Sequence, residues 1–223
     1  MNPAVDSIDS KAVDRALRDG FWPILRERGF ERRTGRTAWR DAPQCVQTAN
    51  VRSFNRYLAA LMACTSFSFA INLGVYYPAV AENAGYGPFA KDPGRPAEQH
   101  CHARFHMAKG IAQPDPDPTL PPPPVWDARL EPKRWRDRPD VWFVAHDGSN
   151  LDEVVADAIE QVVRIGVPWL DRLSDLPEAL RTFREEPNTS HAPGIVAEGY
   201  AGAPGSPARM LAIEALSRLV EPS

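Results

Sequence analysis

His100-Cys101-His102, with His106 four residues further on, is the densest group of side chains in this sequence able to bind a metal or move a proton. On a strand, His100 and His102 project from one face roughly 6.5 Å apart, and His106 lies about 13 Å beyond His102. A zinc site needs three or four ligands converging on one point, and here no Asp or Glu is interleaved and no C-x-x-C pair occurs. The group therefore reads as a strand face with a buried Cys101 behind it, and no metal or cofactor is expected. Covalent catalysis has no better start. There is no G-x-S-x-G elbow, none of Cys45, Cys64 and Cys101 sits in a catalytic sequence context, and His146-Asp147 and His191 lie in turn-like sequence. Gly85-Tyr86-Gly87 lacks the third glycine and the strand-to-helix setting of a phosphate loop. No catalytic residue is assigned.

A second group appears once strands are aligned by alternation. Arg40, Asn72, His102, Arg104 and His106, with Asn50 and Ser68, then fall on one side of a sheet, and the small Ala70 and Gly74 leave room above it. Guanidinium, amide and imidazole groups together suit a polar or anionic ligand, because an arginine fork pairs well with a carboxylate. The plain alternative is a solvated sheet face.

These residues are positioned by strands with clear period-two patterning. In Ser66–Tyr76 the apolar Phe67, Phe69, Ile71, Leu73 and Val75 alternate with small or polar residues. Phe30–Arg33, Arg36–Arg40, Gln44–Phe54, Cys101–Ala108 and Val141–Ala145 read as further strands, with Thr34-Gly35 a tight turn. Before them, Val13, Ala16, Leu17, Phe21, Ile24 and Leu25 recur at helical spacing after a Ser10 cap, with a kink expected near Phe21-Trp22 because Pro23 cannot donate to the helix ladder, and Gly29 ends the helix. After the strands, Val154, Val155, Ala158, Ile159, Val162 and Val163 mark a helix from Leu151. A second piece runs from Pro168 to Phe183 after a break at Gly166, and a last helix runs from Ser206 to Val220. Helix, antiparallel meander of about six strands, then helices predicts a single α+β domain over 1–223, with helices packed on the apolar face. Residues 1–9 are expected to be a flexible start, 78–99 and 109–140 long Gly/Pro-rich loops, and 185–205 a linker to the C-terminal helix. Pro114–Pro124, with seven prolines in eleven residues, is expected to be extended.

Composition narrows the partner classes. With 223 residues, 43% hydrophobic and 25% charged, the chain is globular rather than disordered, and a net charge of -3 lacks the basic field that nucleic-acid binding needs. Leu58–Tyr77 is long, but Thr65, Ser66, Ser68 and Asn72 interrupt it, so no membrane span is expected. Met1–Asp14 shows no basic stretch followed by an apolar run, and three widely spaced cysteines suit a reducing compartment, which points to the cytoplasm.

Ile24-Leu25-Arg26-Glu27-Arg28-Gly29-Phe30-Glu31-Arg32 and Thr37-Ala38-Trp39-Arg40 resemble the opening of an uncharacterised family, domain of unknown function 4304. Phe69-Ala70-Ile71-Asn72-Leu73-Gly74-Val75, Cys101-His102-Ala103-Arg104-Phe105, Val141-Trp142-Phe143 and Gly166-Val167-Pro168-Trp169-Leu170 are similar to its later strands and closing helices, from about Val13 to Phe183. The proline-rich insertion departs from that pattern. The resemblance implies the α+β order and carries no activity. The reading that follows is a non-enzymatic binding or interaction protein, for instance immunity-type or regulatory, using the polar sheet face. The alternative is a small-molecule enzyme or carrier with an anionic ligand in the sheet concavity.

Overall fold

A computed structural model describes residues 8–61, 64–80, 92–111, 138–192 and 195–221. The expected extended run at Pro114–Pro124 lies outside the described residues, as do most of the flexible start (residues 1–7) and residues 81–91 of the first long loop.

The fold is α+β, with an N-terminal helical segment, an antiparallel sheet and C-terminal helices. Helix α1 (Ser10–Ala16) is capped by Asp9, whose carboxylate accepts from the Ala12 amide, and not by Ser10 as expected. A π-turn at Leu17–Phe21 joins α1 to α2 (Trp22–Glu27), with Pro23 in the first turn of α2. The widened turn accommodates a proline that has no N–H to give and whose ring would strike the carbonyl four residues back. The same solution recurs where a break was expected: α4 (Leu151–Gln161) runs through a π-turn at Val162–Gly166 into α5 (Val167–Ser174), with Pro168 in its first turn. Helix α6 (Leu176–Glu185) follows, capped by Asp175, and α7 (Pro207–Val220) closes the chain, capped by Ser206.

Among the described residues the sheet has seven strands in the order β1-β2-β3-β4-β5-β7-β6, and every pairing is antiparallel. They are β1 (Arg32–Thr34), β2 (Thr37–Ala42), β3 (Cys45–Ser53), β4 (Phe69–Tyr76), β5 (Ala103–Met107), β6 (Thr189–Ala192) and β7 (Ile195–Tyr200). Residues 185–205 are therefore not a linker. They carry the hairpin that completes the sheet beside β5. Conversely, Val141–Ala145 is not a strand but a segment that touches the sheet through one bridge, Trp142 to Phe69.

One face of β4 points Phe69, Ile71, Leu73 and Val75 into the main core with Leu17, Phe21 and Leu25, and Phe67 packs partly buried against it, as the alternation predicts. The helices approach this face closely. A Cβ on Gly166 would lie 2.6 Å from Leu73, so glycine there lets the α4–α5 backbone settle onto β4. The other face of β4 is also buried along its whole length, which the sequence reading did not anticipate. At one end of that outer face, α3 (Arg56–Leu61) and the segment after Asp140 form a small cluster of Phe54, Ala59, Cys64, Ala70 and Val141. At the other, residues 94–101 fold over the sheet, where Trp39 Nε1 and Thr48 Oγ1 both donate to the Pro96 carbonyl, at 2.8 and 3.1 Å.

Candidate functional site

Between these two covers runs a polar row that crosses the sheet. In register, Thr37 lies opposite Asn50, Asn50 opposite Asn72, and Asn72 opposite His106. Asn50, Asn72 and His106 each sit between core residues of their own strand, and Thr37 lies two residues before the outward Trp39, so alternation sends all four to the outer face. One row along, Trp39, Thr48, Gly74 and Arg104 are likewise aligned.

The structure thus brings Asn72, Arg104 and His106 together, as expected, and separates the other two predicted site residues from them. Arg40 is on the wrong face. Its neighbours in register are Gln47 and then Val75, and it reaches the helices, donating to the Arg28 carbonyl at 3.0 Å and pairing with Asp171 at 2.5 Å while lying over the Phe30 ring. The alternation in β2 is inverted relative to expectation because the small Ala38 takes the core position and the large Trp39 goes outside, under Pro96. His102 is on the outer side but is enclosed: its ring stacks on Tyr76, and its Nδ1 accepts from the Tyr77 amide at 3.1 Å. Burial pushes its pKa down to about 4, so it is a neutral structural imidazole. His100 is similarly occupied, its Nδ1 accepting from the Ala97 amide. Ser68 is buried and bonded to Thr65 and to the Val144 amide.

Sequence reasoning missed the carboxylate. Glu98, in a single 3-10 turn (Glu98–His100) within the loop, accepts from Arg104 Nε at 2.6 Å and lies 3.5 Å from His106 Nε2. Burial works against its charge, yet hydrogen bonds from His106 and Arg104 hold its carboxyl below the usual range. No periodicity could place it, because its position depends on the loop lying down on the sheet. Gly74 allows that: a Cβ there would be 2.5 Å from the Cys101 sulfur. Cys101 itself is buried, and the pKa of its thiol is pushed up to about 12, so it stays a protonated packing group. Cys45 and Cys64 are buried in the same way, with thiols raised to about 11 and about 12.

Between the covers lie half-buried Asn50, Arg104 and His106 around Asn72, which is 4% exposed, with Arg52 exposed beside them on β3. Asn50 Nδ2 donates to Thr37 Oγ1 at 2.8 Å and to the Arg36 carbonyl at 3.4 Å. The Asn72 side-chain amide makes no hydrogen bond to any described residue, and its polar atoms are not among the fully enclosed unpartnered ones. Among the described residues no three His, Cys, Asp or Glu converge as metal ligands, and no helix is long and apolar enough to cross a membrane. No family model, curated protein or solved structure matches the chain.

Proposed function

We propose that this chain is a non-enzymatic interaction protein, working in the cytoplasm, whose contact surface is the outer strip of Asn50, Asn72, Arg104 and His106. The observation that carries the reading is the Asn72 amide, enclosed on a central strand with both donor and acceptor unused by the described residues. A primary amide on a central strand that spends neither group on the described residues can give a ligand one acceptor and two donors at a single point. The alternative, a carrier or enzyme for a small anion, loses its main support because the Arg104 guanidinium already faces the Glu98 carboxylate. Membership of the domain of unknown function 4304 group belongs to the same proposal and rests on the order of the motifs alone.

Capture from native lysate with immobilised protein tests this. Wild type and an Arg181→Ala control, altered on exposed α6, should retain the same partner, and Asn50→Ala/His106→Ala should lose it with its melting temperature unchanged. Capture indifferent to the strip variant sinks the proposal. A small carboxylate that raises the melting temperature of wild type, and not of that variant, would instead establish the carrier reading.

A further inference from the structure

We infer that the partner presents an extended stretch of polypeptide main chain to this strip, read through its peptide groups by the cross-strand row of Asn50, Asn72 and His106. The inference rests on the interaction-protein reading and narrows it to one kind of ligand. Neighbouring strands lie about 4.8 Å apart, so Asn50 and His106, two strand steps from each other, are separated by about 10 Å, which three residues of extended chain at about 3.4 Å each would span. The row is graded in what it offers. The two Asn50 donor bonds, to Thr37 and to the Arg36 carbonyl, fix its amide plane and leave Oδ1 as an acceptor for an incoming N–H. Asn72, directly opposite, offers one acceptor and two donors at once, the complement of a peptide unit's N–H and C=O. His106 follows in register, with Nε2 turned towards Glu98 and Arg104, each at 3.5 Å, and Nδ1 on the other edge of the ring.

Charge points the same way. A site for a phosphate or a free carboxylate needs excess positive charge, whereas the strip holds a guanidinium against a buried carboxylate. Near-neutral, amide-lined surface matches the neutral, strongly dipolar peptide group. The Asn50–Asn72–His106 row lies between the covers at the two ends of the face, the Phe54–Val141 cluster and residues 94–101.

Panning a phage-displayed library of random linear peptides against the full-length protein tests this directly. Enriched peptides should bind wild type and lose about tenfold or more in affinity towards Asn72→Leu and towards Asn50→Leu. Replacing single peptide bonds of a bound sequence by esters, which alters no residue of the protein, should give a similar loss at one or two adjacent positions and none elsewhere. Absence of enrichment, or affinities indifferent to both the asparagine variants and the ester scan, overturns the inference. If lysate capture nonetheless depends on the strip, the interaction reading survives with a folded or non-peptide partner; if that capture also fails, both fall.

Discussion

Removing the Arg104 guanidinium would leave the Glu98 carboxylate, whose side chain is 11% exposed, with His106 Nε2 at 3.5 Å as its remaining side-chain partner among the described residues. An enclosed carboxylate that loses its charge-assisted bond costs more than the pair is worth, so Arg104→Ala should destabilise the protein by about 1–3 kcal/mol in a denaturant titration. Arg104→Ala combined with Glu98→Gln should cost less than the sum of the two single changes, and strict additivity would show that the two groups do not interact. The expectation of an arginine waiting for an external anion is thereby corrected, and the reason is local. Alternation placed Arg104 on the right face, but Glu98 reaches it from a turn six residues earlier, and nothing in a period of two encodes that approach. His102 supplies a second residue-level test. Its folded pKa, lowered by burial from 6.5 to about 4, means the unfolded chain takes up the proton first as pH falls. Its stabilising contribution is whole above pH 6.5 and is lost between there and about pH 4, amounting to roughly 3 kcal/mol. His102→Gln keeps an acceptor for the Tyr77 amide and cannot titrate, so its stability should fall less steeply than that of wild type across this window; parallel curves would refute the assignment.

At the scale of elements, what the sequence declared is what repeats and what it concealed is what is made once. The strand at Phe69–Tyr76, the hairpin around Gly35 and the helix from Leu151 are all visible as sustained periodicity with suitable punctuation. The π-turns are half visible: Pro23 and Pro168 announce a disturbance, but whether the helix breaks or widens depends on the packing that holds the next turn in line. The hairpin of β6 and β7 was not legible, because Thr189–Ala192 and Ile195–Tyr200 are short and become strands by pairing, β7 with β5 and β6 with β7. Besides the Trp39 and Thr48 bonds to Pro96, the 94–101 cover rests on Gly74, where Cys101 lies against the sheet. Gly74→Ala should force Cys101 away and lift that cover, costing about 1–3 kcal/mol as other overpacked sites do. The diagnostic readout is thiol labelling of the native protein with site mapping: Cys101 should react faster in Gly74→Ala while Cys45 and Cys64 remain protected. Unchanged labelling of Cys101 would mean the loop is held independently of this contact.

Across the whole molecule, α7 joins the rest through a buried cation. Arg209, 2% exposed, donates from Nε to the Phe183 carbonyl at 2.7 Å, from Nη2 to the carbonyls of Thr182 and Glu186, and lies over the Tyr200 ring. The carbonyls it serves belong to the C-terminal end of α6, where four backbone acceptors have no partner within the helix and where the helix dipole is negative. One side chain thus satisfies α6, braces β7 through Tyr200, and docks α7, which otherwise buries only Ala212 and Leu216. The sequence placed a last helix from Ser206 to Val220 and gave an arginine on its inner side no role. We predict that Arg209→Met, which keeps the length and apolar bulk of the side chain, costs about 2–4 kcal/mol because it leaves enclosed carbonyls unpaired. Hydrogen exchange locates the effect. Amides of α7 and of the last turn of α6 should lose protection far more than those of β3 and β4, since α7 adds only Ala212 and Leu216 as buried apolar residues to the core that holds Phe69 and Leu73. A uniform loss of protection across all elements would show instead that α7 folds as part of the same cooperative unit as the central sheet.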